Sequence, residues 1–182
     1  MHINLNLYGN SKNMKNLTIR QYCPSDIDQC KELWVELVEH HRTIYSDPTI
    51  GGEFPGHYFD KYLARVGTEH IWVAESDGNI VGLTGLVIND EEGEIDPVIV
   101  SLKHRGNGIG TSMVTFVIEK AQKLNLHYLS VKPVARNTDA INFYHHTGFR
   151  GIGQIELFME LKDSKPKKWI DGIELFGRSF IY

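Results

Sequence analysis

Cysteine is scarce. Cys23 and Cys30 are the only two in 182 residues, too few for a disulfide framework and spaced like no zinc signature. Neither CxxC nor HExxH occurs. The nine histidines include the adjacent pairs His40-His41 and His145-His146, but neighbours on a helix point about 100° apart and chelate poorly. No metal site is therefore expected. Long apolar runs are missing as well; none approaches the roughly 18 residues that span a bilayer. The opening stretch MHINLNLYGNSKN has neither a basic start nor an apolar core of signal-peptide length. A basic excess is also lacking: 19 Lys and Arg face 23 Asp and Glu, a net charge of −4, which disfavours nucleic acid. The basic run KPKK at 165–168 is too short to reverse that. The expectation is a cytoplasmic protein with neither membrane nor nucleic acid as a partner.

What is present is the composition of a globular domain, 41% hydrophobic and 23% charged. The length suits one domain with a proper core. Residues 1–16 read as a polar tail. LTIRQY (17–22) alternates as a half-buried strand does. Pro24 breaks it, and Ser25 is placed to cap a helix with Asp28 in its first turn. Helical spacing then runs to about Ile44. YSDPTIGGEFPGH (45–57) is loop, followed by a short helix over 58–66. Strands are expected at 70–76, 80–88 and 94–100. Asp77-Gly78-Asn79 and Asp90 to Gly93 make the turns between them. A helix over 109–124, a strand over 126–131, a helix over 137–147 stopped by Gly148, and a strand over 154–161 complete the main sheet. Strand, helix and strand from 95 to 131 form a parallel crossover. The order predicts an α/β (α+β) fold with a mixed sheet and helices on its faces. Residues 169–182 are too apolar for a free tail, and dock on this chain or on a second copy, as in a homodimer.

The stretch HRGNGIG, residues 104–110, places three glycines at a helix start. Exposed N–H groups and a helix N-terminus together suit a phosphate or pyrophosphate. Taken alone, the loop also fits a plain turn with no ligand. A Walker-A loop would need Lys beside the Ser/Thr, and none precedes Thr111. A dinucleotide fingerprint would need a third glycine where Thr111 stands.

The loop also reads as Arg105-x-x-Gly108-x-Gly110, after a strand ending Val98-Ile99-Val100. Some thirty residues on lies NTDAINFYHHTGF, with Asn137, Ala140, Phe143-Tyr144 and Gly148-Phe149. In these motifs, over about residues 17–161, the chain resembles the GNAT superfamily of N-acetyltransferases, which use acetyl-CoA. The resemblance implies a mostly antiparallel sheet splayed between its fourth and fifth strands, with helices on both faces. It leaves residues 162–182 as a C-terminal extension.

The same resemblance assigns the CoA pyrophosphate to Arg105, Gly106, Asn107, Gly108, Ile109 and Gly110, with Thr111 at the helix start. It assigns the pantetheine arm to the main chain of Val98 and Val100, with Ile99 between. Pro97 marks either a bulge that parts the strands or the end of the hairpin. Asn137 and Ala140 would touch the cofactor. Tyr144 would act as acid for the CoA thiolate, although a core aromatic has the same spacing. Glu94, with Asp96 behind it, is the candidate base, or simply part of the acidic run 90–94. Glu94 and Asp96 should share a face by period two. An acceptor site is implied over about 34–62 and the tail. There Glu39, Tyr45, Asp47, Glu53, Tyr58 and Asp60 could draw a cationic amine, a small molecule in preference to a protein. The competing reading is a non-catalytic acyl-CoA sensor or structural subunit with the same fold.

Overall fold

The computed structural model describes residues 3–4, 16–159, 161 and 169–182. Six strands form one sheet in sequential order. They are β1 (Ile3–Asn4), β2 (Leu17–Gln21), β3 (Ile71–Ser76), β4 (Asn79–Asn89), β5 (Glu92–Val100) and β6 (Tyr128–Ser130). Every pairing is antiparallel except β5 with β6. Most of the expected polar tail, residues 1–2 and 5–15, lies outside the described residues, while Ile3–Asn4 adds an unexpected edge to the sheet. The basic run at 165–168 also lies outside them.

Asp77 and Gly78 both take positive φ, 49° and 79°, the backbone that matches a two-residue hairpin to the twist of its strands. Helices α1 (Ile27–Tyr45) and α2 (His57–Val66) cover one face, where Cys30, Leu33, Phe59, Leu83 and Ile99 form a core. Helix α3 (Ile109–Lys123) covers the other, burying Met113, Val114 and Val117 against Trp72, Leu86 and Ile95. Each such fully buried aliphatic side chain contributes about 1.5–3 kcal/mol. Burial pushes the Cys30 thiol up to about 12, so it packs as a small neutral hydrophobe.

Two local expectations are corrected. Ser25 is not the cap of α1. It lies in a single tight turn, Pro24–Asp26, and Asp26 takes the cap position. The Asp26 carboxylate is drawn backwards instead, accepting from Cys23 N at 2.9 Å and from both terminal nitrogens of Arg20 at 2.7 and 2.8 Å. The second correction concerns 154–161: no strand forms over 151–159 or at Leu161. Leu157, Phe158 and Met159 are consecutive apolar residues, which defeats the alternation of a half-buried strand. The C-terminal segment, expected to dock, is itself a hairpin, β7 (Asp171–Leu175) with β8 (Arg178–Ile181), turned at Phe176-Gly177. It docks on its own chain, with the Trp169 ring 5.0 Å from that of Phe158.

Candidate active site

Strand β6 pairs with β5 only at Glu92, Gly93 and Glu94. From Ile95 to Val100 no strand lies on that edge of β5 among the described residues. The register with β4 shifts here, Thr84 facing Val98 but Leu86 facing Ile95. Gly85 therefore faces Asp96-Pro97, which is a β-bulge, so Pro97 sits within the strand and does not end the hairpin. The bulge is built from two sides. Gly85 leaves room for the Tyr62 ring, and the Tyr62 hydroxyl donates to the Asp96 carbonyl.

The bulge also decides which groups face the gap. Ser101 N donates to Val81 O at 2.9 Å, so Gly82 and Val100 are a non-hydrogen-bonded pair. Val98 and Val100 then turn their N–H and C=O groups outward, and Ile99 turns its own toward β4. Val100 O accordingly accepts from Arg105 Nε at 3.1 Å. Ile99 buries its side chain in the core with α1 and α2. Of the three expected residues, only Val98 and Val100 present main chain to the open edge. Glu36 of α1 braces the corner that follows, accepting from Ser101 Oγ at 3.1 Å and Leu102 N at 2.7 Å.

The glycine loop ends at α3. Gly106 and Gly108 have φ of 77° and 79°, and a Cβ on either would meet nothing within 4 Å. They serve backbone conformation, not packing. Gly108 caps the helix without any side-chain bond, so the N–H groups of Ile109, Gly110 and Thr111 have no helical acceptor and suit an anion. Ile109 itself is a core side chain. Asn107 Nδ2 ties the loop together through His104 O at 3.2 Å. Gly110 has a different reason: a Cβ there would lie 3.3 Å from the Phe143 ring. Its absence lets α4 (Thr138–His146) rest on the first turn of α3.

Helix α4 brings Tyr144 to the same corner. Asn137 caps it, its Oδ1 accepting from Ala140 N at 3.0 Å. That bond engages the Asn137 side-chain oxygen and the Ala140 N–H, and leaves the Asn137 side-chain N–H groups as its remaining donors. Tyr144 is half-buried, 5.1 Å from the Phe143 ring and 5.9 Å from Phe149. Burial first, then the Asp96 carboxylate, pushes its hydroxyl up to about 12. Tyr144 thus keeps its proton throughout the neutral range.

The two acids are both ion-paired. Lys132 donates to Glu94, and that bond raises the lysine further. Arg65 of α2 lies 2.9 Å from Asp96. Ile95 and Val98 both pack on the α3 side, so period two on the stretch before the bulge turns Glu94 toward the α1–α2 side. Asp96, held by α2, lies on that side too. The gap is therefore reached by Tyr144 from one face of the sheet and by the acids from the other. In the stretch expected to draw cations, Glu39 is bound to Arg42 at 2.7 Å and Asp60 to Lys31 at 2.8 Å. Among the described residues no group of three or more His, Cys, Asp or Glu could hold a metal ion, and no helix is long and apolar enough to cross a membrane.

The model of the Acetyltransferase (GNAT) family matches residues 33–149. The chain belongs to the GNAT family. An uncharacterized N-acetyltransferase of Methanocaldococcus jannaschii is 28% identical over 143 residues, 75% of this chain and 62% of that protein. The N-acetyltransferase 8 of Rattus norvegicus is 31% identical over 106 residues, 55% of this chain and 46% of that one. The chain thus spans less than two thirds of these curated relatives' length. The fold is shared with the PaiA N-acetyltransferase of Thermoplasma acidophilum, whose structure is in complex with coenzyme A. The TM-score is 0.61 at 16% identity, covering 74% of this chain and 90% of that one.

Three residues that shape this corner were not named in the sequence: Tyr62 and Glu36, which lie within the stretch 34–62 expected to form an acceptor site, and Lys132. Each acts across a long sequence separation, 34 residues from Tyr62 to Asp96 and 65 from Glu36 to Ser101. No local motif marks them. Gly85 is the one available signal, a glycine inside an otherwise apolar strand, which often marks a bulge or a close approach.

Proposed function

We propose that this GNAT chain is an acetyl-CoA-dependent N-acetyltransferase acting on a primary amine by direct attack in a ternary complex. The observation that carries the reading is the unpaired edge of β5, which opens at one end onto the bare N-terminus of α3 and is flanked by Tyr144. An edge with outward N–H and C=O groups at Val98 and Val100 pairs with an extended amide-bearing arm as with a strand. The α3 N–H groups of Ile109, Gly110 and Thr111, with the glycine loop before them, neutralise a pyrophosphate. Both features fit CoA, and the Thermoplasma acidophilum neighbour bound to coenzyme A supports the assignment. Acetyl-CoA supplies the thioester.

The residues then divide the proton work. The acceptor nitrogen forms the new C–N bond as the C–S bond breaks. Tyr144, protonated at neutral pH, gives its proton to the departing sulfur. Glu94 takes the proton that the amine must lose, from the opposite face of the sheet, with Lys132 holding it in place. A free-thiol assay with acetyl-CoA and a panel of primary amines tests the reading. Amine-dependent thiol release that falls with Tyr144→Phe is expected; acetyl-CoA binding without release for any amine would favour the sensor.

A further inference from the structure

A cavity of about 1080 Å³ lies between the segment after α1, the residues just before α4, residues 155–159 and the β7–β8 hairpin. Its walls include Tyr45, Phe158, Trp169, Phe180 and Tyr182, five aromatic side chains. Arg136 stands among them, its guanidinium 4.8 Å over the Tyr45 ring and 6.0 Å from Trp169. Arg136 immediately precedes Asn137, the cap of the helix that carries Tyr144. Leu157, Phe158 and Met159 are 63–81% exposed, a run of apolar surface that the Trp169 ring covers only in part. Large exposed apolar surface concentrated in a cavity marks a binding site.

The charges of the cavity argue about the ligand. Its described ionisable walls are Asp47, Glu156 and Arg136, besides Tyr45 and Tyr182. Asp47 is already engaged, one oxygen accepting from Thr49 N at 2.8 Å and Thr49 Oγ1 at 2.6 Å. Among the described residues, a polycation would meet one carboxylate not occupied in this way and one guanidinium of its own sign. An apolar body with a single amine meets the aromatic walls and needs one acidic neighbour.

We infer that the acceptor is a monoamine carried on an aromatic or long aliphatic body, seated in this cavity, and not a polyamine or an aminoglycoside. This rests on the acetyltransferase reading above and names its substrate class. The aromatic walls desolvate the body of the acceptor and orient its amine toward α4. The cost of losing one wall is a loss of affinity, while acetyl-CoA, held elsewhere, is unaffected.

Two measurements test it. In the free-thiol assay at saturating acetyl-CoA, 2-phenylethylamine, tryptamine and octylamine are compared with spermidine and kanamycin. The best monoamine is expected to exceed both polycations in kcat/KM by about tenfold or more. Trp169→Ala and, separately, Phe158→Ala are expected to raise its KM by about tenfold, with acetyl-CoA affinity by calorimetry unchanged. Direct titration of tryptamine is expected to show binding that Trp169→Ala weakens, whether or not turnover occurs. This separates the cavity's role from the transferase reading, which fails only if no amine releases thiol. A polycation turned over best, or tryptamine affinity indifferent to both substitutions, would overturn the inference.

Discussion

The Tyr62 hydroxyl of α2 donates a hydrogen bond to the main-chain carbonyl of Asp96 in β5. That bond fixes the bulge at Asp96-Pro97, and the bulge turns Val98 and Val100 outward along the open edge. Tyr62→Phe removes the donor and leaves a carbonyl unsatisfied beside a buried ring. A loss of about 1–3 kcal/mol in urea unfolding is expected, together with weaker acetyl-CoA binding. Full stability in the variant would show that the bulge does not depend on this bond.

Tyr144 sets the second expectation. With its hydroxyl pushed up to about 12 by burial and then by Asp96, it stays protonated at any pH suited to catalysis. Tyr144→Phe should lower kcat about 100-fold and leave the KM for acetyl-CoA within about twofold. In the wild type, the rate should show no alkaline decline from Tyr144 below about pH 11. The folded-state value lies above the ordinary 10.0, so Tyr144 also contributes stability that is complete below pH 10 and lost as the pH rises toward 12. Melts at pH 9 and pH 11 compare the two.

Asp26 gives a dependence of opposite sign at the acid end. Burial alone would raise its carboxyl, but hydrogen bonds from Arg20 and Cys23 outweigh that and hold it below its usual 3.8. Stability from Asp26 is therefore present above about pH 4 and lost as the pH falls through the lower folded value. Arg20→Ala strands a buried carboxylate and should cost about 3 kcal/mol at pH 7. Its deficit against the wild type should shrink as the pH falls through the acid range, where urea titrations follow it.

Gly110 is a packing glycine. Its missing Cβ would stand 3.3 Å from the Phe143 ring, and Phe143 must move if one is added. Gly110→Ala should cost about 1–3 kcal/mol and reduce kcat through α4, which carries Tyr144. A variant with wild-type melting and turnover would remove Gly110 from this role.

The meander and the long helices were legible in the sequence because each signal is local. The strand expected over 70–76 is Ile71–Ser76, and the helix expected over 109–124 is Ile109–Lys123. Asp77-Gly78 marked its turn for the same reason. The motifs at 104–110 and 137–149 likewise came together in space, joined where Gly110 meets Phe143. What stayed hidden depends on partners far away in the chain. Pro97 could end a hairpin or bend a strand until Gly85 and Tyr62 were seen around it. Glu94 and Asp96 share a face as period two expects, but the bulge after them turns Val98 to the other one. The strand expected over 154–161 failed because its apolar residues follow one another and turn to a cavity whose far wall is the C-terminal hairpin. The sequence carried no sign of that partner beyond its hydrophobicity.

In the proposed reading, the glycine loop and the α3 N-terminus hold the pyrophosphate of acetyl-CoA. Calorimetric titration of acetyl-CoA into the wild type and Gly108→Glu tests it most directly. Gly108 has open space where a Cβ would be, so the new carboxylate would project beside the N–H groups and repel an anion, and Gly108→Ala, which carries the same positive-φ strain without the charge, is the control. Circular dichroism confirms that the variant keeps its helices. Binding to the wild type and a loss of about tenfold or more in the variant are expected. Equal affinity in the two proteins would contradict it.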